Sequence, residues 1–366
     1  MHTLYVINSP CWTENAPSGL NNSIMFSEPF SENFTYFYYN LLKFGLVKNV
    51  KIFVEENRWR IDHNLIKKKI YTDYGSLELF KDRNKFEIIN ADKEKNYVFC
   101  WSNISDCRYI KNKFIIVDNQ FNGYIKKSVL NKDIHDLVLT ESKNFKKYIT
   151  EQIPVLVYKL ISYDHEKFVK NNNINYKKIY DWILVSSFDK RKRHLDFLNL
   201  LQSNNLSQLK GCIIARDPNN KKKNFFDFFK KQTPWKIFKK IEELKKKMNF
   251  DLFLNIPQNK KIDLLSRSKI FVNPSSLDSG PRSQVEAAQL KIPILTMSHI
   301  GAADIVDPGI NGEIAKNLDE LTILLNKILN NINKYKYNQH NKHLDPEYFM
   351  PKLVFQIRQL YNKKYA

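Results

Sequence analysis

The sequence predicts an α/β protein of two domains, each built on a parallel sheet. Three observations predict it. Short apolar runs alternate with amphipathic stretches along the chain. The length, 366 residues, suits two cores rather than one. One polar stretch near the middle interrupts the alternation.

The runs that read as buried strands are residues 4–8, 50–54, 97–101, 114–117, 137–140 and 154–157, then 182–185, 212–215, 252–254, 270–272 and 292–296. Most are continuously apolar, as strands covered on both faces are. Helical periodicity lies between many of them, clearest at 34–44, 193–201 and 318–332. Strand–helix alternation of this kind gives βαβ units with Rossmann-like connectivity. Residues 160–178, with Lys170-Asn171-Asn172-Asn173, read as an interdomain linker. The expected domains are therefore 1–172 and 173–345, followed by a C-terminal helix at 346–366. Its apolar stripe runs through Phe349, Leu353, Ile357 and Leu360, and it is expected to cross back to the N-terminal domain.

Composition narrows the partners. Hydrophobic residues make up 43% of the chain, enough for two cores, and the formal net charge is +21. Such an excess suits an anionic membrane surface, an acidic substrate or nucleic acid. It also follows from a Lys/Asn/Ile bias that runs through the whole sequence. Nucleic acid ranks last, because no nucleic-acid-binding module is recognisable. The basic aromatic segment 221–247, with Phe225, Phe226, Phe228, Phe229, Trp235 and Phe238, fits a membrane surface. It equally fits a core-facing helix between two strands, and βαβ topology favours that reading. The four cysteines, Cys11, Cys100, Cys107 and Cys212, form no CxxC pair and have no zinc spacing with histidine. The start lacks a signal-peptide pattern, and no window approaches ~20 apolar residues. A cytoplasmic protein, peripheral on the inner membrane face at most, is expected.

The segment that carries chemistry is 270–314. A strand runs into Asn273-Pro274-Ser275-Ser276, then Leu277-Asp278-Ser279-Gly280, and Pro281 suits the first turn of a helix. This places a helix N-terminus at the carboxyl end of a parallel strand, where ligands bind and where free N–H groups favour an anion such as a diphosphate. Asp278 and Glu286 stand about two turns apart, and as acceptors each suits a set of hydroxyls beside the phosphates. Glycine is scarce, yet Gly280, Gly301, Gly309 and Gly312, four of nine, cluster here. Such clustering implies positive φ or close backbone approach to a ligand.

This segment resembles the retaining family-4 glycosyltransferases of GT-B fold, whose two Rossmann-like domains face each other across a cleft. That family shows an acidic residue, seven residues and Glu, then a glycine loop and an E-I-V-x-x-G-x-N-G stretch. Asp278-x7-Glu286 and Asp304-Ile305-Val306-Asp307-Pro308-Gly309-Ile310-Asn311-Gly312 fit, with Asp at the leading acidic positions. The resemblance spans 180–315 and weakens before about 150. It implies that Glu286 binds the donor ribose, that Asp278 acts at the sugar, and that Ser279, Gly280 and Gly301 contact the donor by backbone. Upstream, residues 184–194 resemble the strand and Arg-x4-Lys pair that grips the diphosphate. Lys192 falls on the Lys, while Ser187 stands where the Arg belongs. Lys190, Arg191 and Arg193 are nearby basic groups that would compensate. The resemblance implies that Gly19, in a loop after the first strand, is the N-terminal donor contact. Trp101, Ser102, Asn119 and Gln120 follow strands on the acceptor side.

The expected activity is metal- and cofactor-independent transfer from a nucleotide-diphosphate sugar to a glycan or lipid-linked acceptor. Two other readings stand beside it: a non-catalytic sugar-nucleotide binder, because Ser187 departs from the family, and a charge-driven nucleic-acid binder. Taken singly, Glu286 is a solvated helical residue, Asp278 a cap, and Lys192 one of a solvated basic run. His194 and His299 read as structural or surface residues.

Overall fold

The computed structural model describes residues 2–7, 33–54, 69–81, 84–101, 104–118, 130–146, 149, 152–159, 176–218, 232–278, 280–298, 301, 303–335 and 344–366. The domain boundary near 172, Gly19, Ser102, Asn119, Gln120, residues 221–231, Ser279 and His299 lie outside them. The chain divides into two compact units.

The first unit contains β1 (Thr3–Ile7), α1 (Asn33–Lys43), β2 (Asn49–Val54), β3 (Lys69–Thr72), β4 (Gly75–Lys81), α2 (Lys85–Ala91), β5 (Tyr97–Trp101), β6 (Phe114–Asp118), β7 (Leu137–Thr140), α3 (Lys143–Lys146) and β8 (Val155–Val157). Its sheet has the order β3-β4-β2-β1-β5-β6-β7-β8. All neighbours are parallel except the β3–β4 hairpin at one edge. β1 lies centrally, with Val6 opposite Ile52 on one side and Phe99 on the other. Every residue of β6, Phe-Ile-Ile-Val-Asp, is buried, which explains its unbroken apolar run. The hairpin was not expected. At the sheet edge β4 alternates, so Leu77 and Leu79 are buried while Glu78 is only half-buried. Cys100 and Cys107, seven residues apart, meet sulfur to sulfur in the core.

The second unit contains β9 (Tyr180–Val185), α4 (His194–Ser203), β10 (Gly211–Ala215), α5 (Gln232–Lys245), β11 (Phe250–Leu254), α6 (Gln258–Ser266), β12 (Ser268–Asn273), α7 (Arg282–Gln289), β13 (Ile294–Met297), β14 (Gly312–Ala315) and α8 (Leu318–Asn330). Its six strands are all parallel, in the order β11-β10-β9-β12-β13-β14. The chain lays strands outward from β9 to β11, then returns to the other side of β9 for β12. The order reverses between β9 and β12, as in a dinucleotide-binding sheet. Trp182 anchors the core, 1% exposed, with its ring edge-on to Phe197 at 5.2 Å. α5 buries Ile237, Phe238 and Ile241 in this core and leaves Trp235 45% exposed. The described end of the basic aromatic segment thus faces the core. Among the described residues no helix is long and apolar enough to cross a membrane.

The last helix, α9 (Pro346–Tyr365), belongs to the first unit. Asp345 caps it by accepting from the Glu347 N–H. Met350, Leu353, Val354, Ile357 and Tyr361 enter the core that holds Leu41, Tyr97 and Phe114, and the Tyr361 and Tyr97 rings lie 4.8 Å apart. The helix therefore crosses back as its apolar stripe implied.

Gly312 shows what one clustered glycine is for. A Cβ there would lie 2.0 Å from the backbone oxygen of Ile294, its partner on β13. Strand pairing, not a ligand, excludes a side chain. Gly312→Ala should cost about 1–3 kcal/mol, as overpacking does. It should lower the urea midpoint at unchanged m-value, and an unshifted midpoint would refute this account.

Candidate functional site

In an open parallel sheet, ligands bind beyond the carboxyl ends of the strands where strand order reverses. In the second unit that point lies beyond β9 and β12. From β9 come Ser186 and Ser187, then a single 3-10 turn at Lys190–Lys192. From β12 comes Asn273 and the loop to Asp278. The two loops are tied together. Ser276 donates its N–H to the Arg191 carbonyl at 2.7 Å and its hydroxyl to the same oxygen at 3.2 Å. The Lys192 ammonium pairs with the Asp278 carboxylate, both side chains mostly buried. Asn273 fixes the turn by accepting from the Ser275 hydroxyl at 2.5 Å and donating to Gln284 at 2.9 Å. Ser283, in the first turn of α7, donates to the Val185 carbonyl at 3.0 Å and docks that helix end on β9.

Asp278 and Gly301 are joined by an isolated parallel bridge. Gly301 has φ +83°, a left-handed conformation that favours glycine. The structure therefore brings Lys192, Asp278 and Gly301 together, with buried Gly280 in the adjoining loop. Pro281 is the N-cap of α7 and has no side-chain group to cap it. Arg191 turns to its own loop, its Nε donating to Asp189 at 3.1 Å. Ser187 is exposed.

Glu286 is placed differently. It is 2% exposed and faces α6 rather than Asp278. Gln258 donates to its Oε1 at 3.0 Å, and the Lys261 Nζ lies 2.9 Å from Oε1 and 2.7 Å from Oε2. Each carboxylate of the motif thus carries a lysine. Gln258 and Lys261 were missed from sequence. They are one turn apart on one face of α6, but only the packing of that face against α7 marks them out.

Two arginines were also missed. Arg216 follows β10 directly, and Arg282 is the first residue of α7. Desolvation lowers the Arg216 pKa, and the charge of Arg282 lowers it further. Positive charge therefore gathers at this end of the sheet beyond Lys192.

His194 is 2% exposed and its Nε2 lies 3.1 Å from the Ser186 hydroxyl. Burial, then the neighbouring charge of Lys192, pushes its pKa down to about 3. It is a neutral imidazole that secures the end of β9. Among the described residues no group of three His, Cys, Asp or Glu side chains is arranged to hold a metal ion.

Residues 164–343 match the family Glycosyl transferases group 1. No curated protein matches the chain. Solved structures match its fold along its whole length. Sucrose-phosphate synthase from Thermosynechococcus elongatus superimposes with a TM-score of 0.61 at 12% identity, covering 100% of both chains. An alpha,alpha-trehalose-phosphate synthase (UDP-forming) from Burkholderia vietnamiensis gives 0.66 at 9% identity, covering 100% of this chain and 98% of the other. Anabaena HepE, in complex with UDP and glucose, gives 0.56 at 12% identity, covering 100% and 99%. At these identities the likeness is one of fold. The site lies inside the matched segment: residues 164–343 match the group 1 glycosyltransferases, and the chain as a whole has the GT-B fold.

Proposed function

We propose that the protein is a glycosyltransferase that draws its sugar from a nucleotide-diphosphate donor bound by the second unit. The acceptor is a glycan or a lipid-linked sugar, the anomeric configuration is retained, and no metal takes part. The observation that carries this reading is the meeting of Lys192, Asp278 and Gly301 beyond the β9/β12 switch, beside the start of α7. The diphosphate lies against that helix start, where N–H groups and the helix dipole favour an anion. When the bond from sugar C1 to the diphosphate breaks, charge builds on the leaving oxygen, and Lys192 with Arg282 and Arg216 neutralises it. Asp278, held by Lys192, accepts from sugar hydroxyls. Glu286 accepts from the ribose. The UDP and glucose of Anabaena HepE, and the glucose-6-phosphate bound to a trehalose-phosphate synthase from Burkholderia xenovorans, support a uridine donor and a sugar acceptor.

A second reading rests on exposed Ser187 and on Arg191, which is engaged with Asp189. With the family's arginine absent, the protein would bind the donor without turning it over.

One experiment separates the two. UDP-, GDP- and ADP-sugars are incubated with the protein in excess EDTA, and nucleoside diphosphate release is followed for wild type and Glu286→Ala. Release by wild type is expected, with kcat/KM lower by about tenfold to a hundredfold in the variant, the worth of one or two hydrogen bonds to a charged group. Equal rates would reject the assigned site. Binding without release would favour the second reading, and release only after adding a divalent metal would remove metal independence.

A further inference from the structure

Glu286 is a buried carboxylate, and its surroundings determine what it can bind. A carboxylate taken out of water tends to hold a proton unless a cation and hydrogen bonds compensate it. Protonated, it carries an O–H donor and offers less to two hydroxyls; ionised, it has about four acceptor sites. Lys261 supplies the cation. Its Nζ straddles the group, 2.9 Å from Oε1 and 2.7 Å from Oε2, while Gln258 donates to Oε1 at 3.0 Å. Both donors lie on α6, one turn apart, and together they hold the carboxylate in place. The Lys261 side chain is 18% exposed and that of Glu286 3%, so water screens the pair little.

We propose that Lys261 is a positioning residue for the nucleoside half of the donor, fixing Glu286 in charge and orientation for the ribose hydroxyls. This rests on the reading of Glu286 as the ribose acceptor. Lys261 touches no substrate atom in this account. It acts through Glu286, and the ligand feature it governs is the 2′,3′-diol.

The test is a ligand-by-variant cycle in calorimetry. The probe is whichever of UDP, GDP and ADP binds wild type most tightly, together with its 2′-deoxy and 3′-deoxy forms. Wild type should prefer the diol by about tenfold or more, the scale of a hydrogen bond to a charged acceptor. In Lys261→Met the preference should shrink below about threefold. Lys261→Arg should restore the preference at neutral pH. Should Lys261→Met fail to fold, Gln258→Leu, which removes the other donor, is expected to weaken the preference in the same direction. A folded Lys261→Met that keeps the full preference overturns the proposal and leaves the donor site standing. A wild type that binds a diphosphate without preferring the diol overturns the ribose role of Glu286 and this inference with it. A wild type that binds none of the three diphosphates overturns the donor reading itself.

Discussion

Lys192→Met should lower kcat by about a hundredfold to a thousandfold with little change in KM, the range seen when one preorganised charge-stabilising group is removed. The side chain is mostly buried and held in place by Asp278. A cation fixed before the reaction pays no reorganisation cost when charge appears on the leaving diphosphate. Its interaction is also stronger with the transition state than with the bound donor, which is the condition for affecting kcat. Its weight here is raised by Ser187, which leaves Lys192 without the arginine that the family places five residues earlier. Two effects must be kept apart. Removing Lys192 also strips Asp278 of its counter-charge, at a stability cost of roughly 1–3 kcal/mol. Lys192→Arg keeps the ion pair and should retain most of the fold stability, with a smaller loss in kcat. Single-turnover rates on folded protein, confirmed by thermal melting, read the chemical step directly. A kcat for Lys192→Met within about threefold of wild type would remove Lys192 from the reaction.

The parts of this site that were legible in sequence share one property: they follow a strand directly or sit inside one contiguous motif. Asp278 was read from the spacing of its motif and Lys192 from the family resemblance, and the structure brings them into contact across 86 residues. Lys261 was not legible because its meaning lies in the α6–α7 contact. Beside Lys260, in a lysine-rich chain, it looks like any solvated charge until Glu286 is packed against it. The fold divides the same way. Continuous apolar runs such as that of β6 announce a covered parallel sheet. β3 and β4 were missed because an edge hairpin carries only half the apolar signal. β14, Gly-Glu-Ile-Ala, was missed as a strand because it is short and poor in β-formers, and its pairing with β13 overrides that. The glycine cluster was read as positive φ or close approach to a ligand, and it separates into two causes. Gly301 meets the requirement for positive φ, while Gly312 answers to the backbone of Ile294.

His194 was read as a structural or surface residue; it is buried beside the site, and its burial predicts a pH dependence of stability. Its folded pKa lies near 3, against 6.5 for the free side chain, with desolvation the main cause and Lys192 the next. Between these values the unfolded chain holds a proton on His194 and the folded chain does not. Stability must therefore fall as pH falls through this window, by about 1.4 kcal/mol per pH unit from this one group, and the contribution is flat above 6.5. From pH 6.5 to 5, above most carboxylate titrations, wild type should lose about 2 kcal/mol through His194. His194→Gln cannot titrate. At pH 7 it should be less stable than wild type, since its packing against Phe188 and its contact with Ser186 are altered. The two stability curves should then converge on acidification. Urea unfolding followed by tryptophan fluorescence at half-unit steps measures this, because Trp182 reports the same core through Phe197. Parallel curves for wild type and His194→Gln would show that the imidazole takes up its proton without unfolding. In that case Ser186 and the end of β9 would have to accommodate a second cation beside Lys192, and donor affinity rather than stability would change in the same window.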